Sequence, residues 1–178
     1  MADEINRSAI DNILGRRSIR KYDQSRSVDQ KTIEILLECA SAAPSAHNAR
    51  PCHFIIITDR SLLTALSEEH PFGKMLSSAA LAIAVCGETQ REAALLPYWE
   101  EDCSAAMQNL LLAANAVGLA SVWLGVRHGP NGLEAKMKEM LAVPGDIAML
   151  GIASIGYPAL TMDPHKGIMP ASLHSDKW

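Results

Sequence analysis

Apolar residues recur along this chain at spacings that alternate between helix and strand. Ile5, Ala9 and Ile13, four residues apart, predict a helix over 3–14 that breaks at Gly15. Asp29 is a natural N-cap for a second helix, with Ile33, Leu36, Leu37 and Ala40 as its buried stripe and Pro44 as its end. A polar loop over 44–52 leads into a β-branched run at 53–58, read as a buried strand. Asp59 caps a short helix carrying Leu62, Leu63 and Leu66. The longest apolar run, 79–86, predicts a second buried strand and is far too short to span a bilayer. After an irregular stretch to Pro97, a long helix is expected over 98–117, closed by Gly118. From Cys103 onward its polar residues are few (Ser104, Gln108, Asn109 and Asn115), which suits a core or a subunit interface. A strand near 120–126, a helix over 131–141 and a strand near 147–155 complete the regular elements. The tail, 157–178, is rich in Pro and His without periodicity, and Trp178 favours its docking on a neighbour. No repeat, low-complexity segment or linker interrupts the pattern, so one α+β domain over 1–178 is expected.

Composition narrows the class. Of 178 residues, 48% are hydrophobic and 20% charged, ordinary for a folded chain. A net charge of -4 argues against nucleic acid as the main partner. Yet Arg16, Arg17, Arg20, Lys21 and Arg26 place five of sixteen basic residues in one short stretch, which leaves an anionic ligand open there. Cys39, Cys52, Cys86 and Cys103 lack paired spacing and read as reduced thiols. Met1-Ala2-Asp3-Glu4 lacks the basic start and apolar stretch of a signal peptide, so a cytoplasmic protein without membrane association is expected.

Several familiar chemistries find no support in the motifs. Neither a P-loop nor a Gly-x-Gly-x-x-Gly fingerprint is present, and no Cys-x-x-Cys or His-Glu-x-x-His offers zinc ligands. Gly151-Ile-Ala-Ser154-Ile-Gly156 has the wrong spacing for a nucleophile elbow and reads as strand. What remains is Arg16-Arg17-Ser18-Ile19-Arg20-Lys21-Tyr22. In an extended stretch Arg16, Ser18 and Arg20 share one side, offering the guanidinium and hydroxyl donors a phosphate monoester accepts. On spacing alone a solvated charged surface accounts for them equally well.

That stretch, with Ala43-Pro44-Ser45-Ala46-His47-Asn48-Ala49-Arg50-Pro51 some 25 residues on, resembles the nitroreductase family of FMN-dependent oxidoreductases. The family opens with Arg-Arg/His-Ser-x-Arg/Lys and continues with Pro-Ser-x-x-Asn-x-Gln-Pro-Trp. Further matches follow in order: His70-Pro-Phe-Gly-Lys74-Met-Leu, Asp102-Cys-Ser-Ala-Ala-Met-Gln108-Asn109, Gly118-Leu-Ala-Ser-Val-Trp123-Leu-Gly125-Val and Gly156-Tyr157-Pro158. The resemblance covers nearly the whole chain. It implies an α+β fold with a central, mostly antiparallel sheet flanked by helices, and an interlocked homodimer with FMN in each of two clefts between chains. By matching positions, Arg16, Ser18 and Arg20 would bind flavin from one subunit: Arg16 and Ser18 at the phosphate, Arg17 and Arg20 at the ribityl chain or the pyrimidine edge. Pro44, Ser45 and Asn48 would reach the same flavin from the other subunit. Trp123, Leu124 and Gly125 match the segment along the isoalloxazine ring, and Lys74 a lysine near the pyrimidine end.

The chemistry agrees with these roles. Hydride adds at flavin N5, and a cation near N1 and the C2 carbonyl stabilises the charge left behind. The protein need not supply a nucleophile or base, so no catalytic side chain is assigned. The resemblance implies NADH or NADPH as donor and a small acceptor such as a nitroaromatic, quinone or enone. Reductive dehalogenation, flavin breakdown, or flavin binding without turnover are the alternatives. Arg50 and Cys52 depart from the family's Gln and Trp, and Cys52 reads as a small buried thiol beside the core strand. In the tail, His165 and Lys166 stand where Arg or Lys completes the phosphate site, and Gly167 replaces a frequent arginine. His47 reads as a solvent-facing loop residue, Trp99 and Glu100 as equally suited to substrate contact or none, Arg127 and His128 as a solvated turn, and Asp102 as a helix-start charge.

Overall fold

The computed structural model describes residues 7–89, 96–167 and 172–178, so Ile5 and the start of the first expected helix lie outside the described residues. In chain order the elements are α1 (Arg7–Gly15), α2 (Gln30–Ser41), β1 (Cys52–Ile57), α3 (Arg60–Glu69), β2 (Leu81–Glu88), α4 (Trp99–Ala116), β3 (Ala120–Gly125), α5 (Leu133–Met140) and β4 (Ile147–Gly156). The two expected aspartate caps form. Asp29 accepts from Thr32 N at 2.9 Å, and Asp59 from Leu62 N at 2.8 Å. α5 starts two residues later than its pattern suggests, because Asn131 and Gly132 turn left-handed (φ 54° and 72°) ahead of it. No helix among the described residues is long and apolar enough to cross a membrane.

The four strands form one sheet in the order β1-β2-β4-β3, and every neighbouring pair is antiparallel. β2 and β3 therefore run parallel with β4 inserted between them, and α4 is the crossover that joins them. Helices cover both faces, which explains the unbroken apolar run of β2. Leu81, Ile83 and Val85 pack in the cluster with α2 and α4, while Ala82, Ala84 and Cys86 pack in the cluster with α3 and α5. Between Val85 and Cys86 the β2–β4 register slips, from Gly151 to Met149, leaving Leu150 as the extra residue of a bulge. Glu134 Oε1 accepts from the freed Met149 N at 3.0 Å. The bulge sets Gly151 beneath Trp123, where a Cβ would come within 2.5 Å of the indole nitrogen.

α4 is the core helix its composition predicts, with Asp102, Cys103, Ala106, Met107, Leu110 and Ala114 among its buried residues. α1 lies across it by amide pairing: Asn12 Nδ2 donates to Leu112 O at 3.1 Å, and Asn115 Nδ2 to Asn12 Oδ1 at 2.7 Å. No described residue of α1 is buried, and Ile13 and Leu14 remain 54% and 45% exposed. Among the described residues its apolar face is uncovered.

Candidate functional site

The basic stretch gains its shape by borrowing the open edge of β3. Ser18 forms a parallel bridge to Ser121, and Ile19 N donates to Ser121 O at 3.2 Å. Tyr22 then anchors the segment: its hydroxyl donates to Ser154 O at 3.0 Å and its ring lies on Gly156, where a Cβ would approach within 2.9 Å. Burial pushes the Tyr22 phenol up to about 12. The chain after β4 returns beside this stretch. Asp23 N donates to Tyr157 O (2.9 Å), Ala159 N to Lys21 O (3.0 Å) and His165 N to Leu14 O (3.0 Å), and the Arg17 guanidinium donates to Asp163 O.

Arg16, Arg17, Ser18, Arg20, His165 and Lys166 are thus gathered at one corner of the molecule. Arg17 is committed to the Asp163 carbonyl, and Arg20 Nη1 donates to Ser18 O at 3.2 Å. The Arg16 guanidinium and Ser18 hydroxyl have no hydrogen-bond partner among the described residues. Those donors are free for an anion.

Further along β3, Trp123 is half-buried, Leu124 buried and Gly125 exposed. A residue that the sequence shows only as part of the family match fixes the end of this strand. His70, 2% exposed, donates from Nε2 to Gly125 O at 3.1 Å and accepts at Nδ1 from Phe72 N at 3.2 Å. A ring that donates at one nitrogen and accepts at the other is neutral. Burial also holds the His70 imidazole below its usual value. His70 thereby ties the Lys74–Ser78 turn, with its exposed Lys74, to the end of β3.

The second half of the site is the loop before β1. His47, Asn48 and Arg50 all adopt positive φ (53°, 56° and 49°), a region costly to residues with a Cβ. Side chains hold it there. Ser45 Oγ accepts from Arg50 N at 2.9 Å, and Arg50 Nε donates to Asn48 Oδ1 at 3.0 Å. From α4, Asp102 Oδ1 accepts from Ala46 N at 2.9 Å, leaving Oδ2 buried without a hydrogen-bond partner among the described residues. Asp102 is therefore more than a helix-start charge: it supports the loop. A cavity of about 210 Å³ opens here, lined by Pro44, Ser45, Arg50, Cys52, Phe54 and Asp102. Cys52 is half-buried, and its sulfur lies 3.2 Å from that of Cys103.

The two halves occupy opposite corners of the sheet. Cys52 lies in a row with Gly87 and Ala148, whereas Ser121, beside Ser18, lies in the row of Ile155 and Leu81. Three strand spacings across and six residues along separate the corners by on the order of 25 Å. Other expectations change. Trp99 is buried over Gly87 and belongs to the core. Arg127 is ion-paired with Glu134 (2.6 Å) and Glu100 (3.1 Å), and His128 contacts Glu100 at 3.1 Å, so this turn is a charged clasp between α4 and α5.

Comparison with known proteins agrees with this architecture. The nitroreductase family model matches residues 13–73 and 69–157. A protein of Archaeoglobus fulgidus, provisionally named NADH dehydrogenase/NAD(P)H nitroreductase, is 40% identical over 169 residues, covering 93% of this chain and 96% of its own. A crystal structure from Parabacteroides distasonis under the same provisional name superposes with a TM-score of 0.89 at 38% identity, covering 96% of this chain and 98% of that one. An FMN-dependent nitroreductase from Clostridium difficile gives a TM-score of 0.87 at 29% identity, with 95% and 99% covered. A family match over most of the chain, on the fold and around the motifs described above, leads to one conclusion: the chain belongs to the nitroreductase family of FMN-dependent NAD(P)H oxidoreductases.

Proposed function

We propose that two copies of this chain interlock around two FMN molecules, each held by the basic corner of one copy and the 44–50 loop of the other. The assembly passes reducing equivalents from NADH or NADPH to a small acceptor such as a nitroaromatic, quinone or enone. The observation that carries the shared site is the separation of its halves. Corners on the order of 25 Å apart on one sheet favour closure by two chains over closure on one cofactor from within a single chain. The uncovered apolar face of α1, with Ile13 and Leu14, supplies surface for the partner, and the 157–178 tail is proposed to dock on the partner subunit.

The residues fit the group. Arg16 and Ser18 offer uncommitted donors for a phosphate, and Lys166 stands beside them in the returning segment. Arg20 adds a cation on the same stretch, and Lys74 one at the end of β3. When bound, FMN supplies hydride acceptance from the nicotinamide and its delivery to the acceptor. Trp123, Leu124 and Gly125 provide a rigid edge against which a flat ring can lie, fixed by Gly151 behind and His70 beside it. From the partner, Pro44, Ser45 and Asn48 close over the ring, the Asn48 amide nitrogen offering a donor to polar groups while its oxygen accepts from Arg50. The test is a visible spectrum of the purified protein. A flavin band that bleaches on anaerobic addition of NADH or NADPH is expected; a colourless protein that FMN cannot reconstitute overturns the proposal.

A further inference from the structure

Two thiols, 51 positions apart in sequence, meet beneath the strained loop. Cys52 is the first residue of β1 and Cys103 lies in the first half of α4, with their sulfurs 3.2 Å apart. A disulfide needs about 2.05 Å between sulfurs, so closure requires an approach of only about 1 Å. Cys52 stands at the first rung of β1, opposite Gly87, at the end of the strand rather than within it. The two sulfurs are not equivalent. The hydrogen bond between the two sulfurs holds the Cys52 thiol below its ordinary value, whereas that bond and burial push the Cys103 thiol up. Cys52 is suited to attack and Cys103 to resolve.

Access is also built in. The 210 Å³ cavity reaches Cys52 past Pro44, Ser45 and Arg50, and a molecule the size of water takes up only about 30 Å³ of it. Cys39 and Cys86 form no thiol–thiol contact among the described residues, and burial pushes the Cys86 thiol up to about 11.

We propose that Cys52 and Cys103 are a redox-active pair which a hydroperoxide converts to an intramolecular disulfide, clamping the 46–52 loop to α4. The Cys52 thiolate attacks the terminal oxygen of the hydroperoxide, and the O–O bond breaks. The alcohol, or water from hydrogen peroxide, departs with a proton and leaves a sulfenic acid on Cys52. The Cys103 sulfur then attacks the Cys52 sulfur; the S–S bond forms, the S–O bond breaks, and the Cys103 proton leaves with the hydroxide as water. Two thiols are oxidised by two electrons, and the peroxide is reduced by the same two. Reduced flavins make hydrogen peroxide from dioxygen, so a local source of oxidant rests on the function proposed above; the chemistry of the pair does not.

The flavin-loaded protein, reduced and desalted, is titrated with hydrogen peroxide, and its thiols are counted after denaturation. Two of the four thiols per chain should be lost. The intact mass should fall by two hydrogens, with the Cys52 and Cys103 peptides linked in a non-reducing digest and all thiols recovered in dithiothreitol. Cys103→Ser should instead stop at a Cys52 sulfenic acid that dimedone traps. Four surviving thiols, or linkage through Cys39, Cys86 or a second chain, overturn the inference. A yellow protein that keeps all four thiols refutes the pair and leaves the flavin reading standing. A colourless protein that loses two does the reverse.

Discussion

The two corners of this sheet are built by opposite means. The basic corner is made of backbone: Ser18 and Ile19 pair with β3, Asp23 and Lys21 with the returning chain, and His165 with Leu14. Its arginines project from a frame that the fold completes unaided. The loop corner has little such frame. Three residues sit at positive φ, and beyond two short backbone turns (Asn48 N to Ser45 O and Ala49 N to Ala46 O, each 3.0 Å) the loop is held by single side-chain bonds involving Asp102, Ser45 and Asn48. A frame made by sheet pairing tolerates the loss of one side chain, whereas a loop pinned by side chains does not. Substitutions at the first corner should therefore change affinity without moving the backbone, and those at the second should loosen structure and affinity together.

The largest expected effect separates the corners most cleanly. Arg16→Ala removes a charge-assisted donor, worth about 1.5–3 kcal/mol, so FMN affinity should fall by roughly 10- to 150-fold with an unchanged melting temperature. Flavin fluorescence titration and a thermal melt read the two quantities. Next comes the sheet behind Trp123–Gly125, which lies outside both corners. Gly151→Ala would put a methyl 2.5 Å from Trp123 Nε1 and 2.6 Å from Leu124 O. Overpacking of this kind costs about 1–3 kcal/mol, and for a chain of this size the melting temperature should drop by about 2–12 °C.

At the loop corner, Asp102→Ala leaves Ala46 N without its acceptor. A cost of about 1–2 kcal/mol is expected. Here stability and FMN retention should decline together, with faster amide exchange confined to 44–50. A loop that exchanges at the wild-type rate would remove the contrast between the corners.

The smallest effect concerns pH. The folded-state pKa of His70 lies below the ordinary 6.5. Well above pH 6.5 the imidazole is neutral in both states and adds no pH dependence. As pH falls below 6.5 the unfolded chain takes up the proton first, so stability declines until the folded-state pKa is reached. The melting temperature should fall more steeply below pH 6.5 in the wild type than in His70→Gln. Parallel curves would show that the His70–Gly125 link bears no such load.

What the sequence disclosed follows the range of the forces involved. The Asp29 and Asp59 caps act over three residues and were legible at once. The buried run of β2 shows because a strand covered on both faces has no polar alternation to keep. The donors of the basic stretch are local too, but their gathering with His165 and Lys166 depends on hydrogen bonds spanning about 150 residues. The supporting roles of Asp102 and His70 were missed for the same reason. Each supports the site through one bond to a backbone group more than fifty residues away, and no periodicity records such a partner. Nor did the Cys52–Cys103 contact show, since neither thiol has a neighbour at motif spacing.

The claim that each cofactor is shared between chains is tested most directly by complementation. Arg16→Ala chains and Asn48→Ala chains, carrying different tags, are assembled into a mixed dimer and their bound FMN is counted. A shared site predicts that each homodimer retains flavin poorly while the mixed dimer regains one tightly bound FMN, because one of its clefts combines the unaltered corner of each chain. A mixed dimer that binds no better than either parent would place both halves of the site within a single chain and contradict the account.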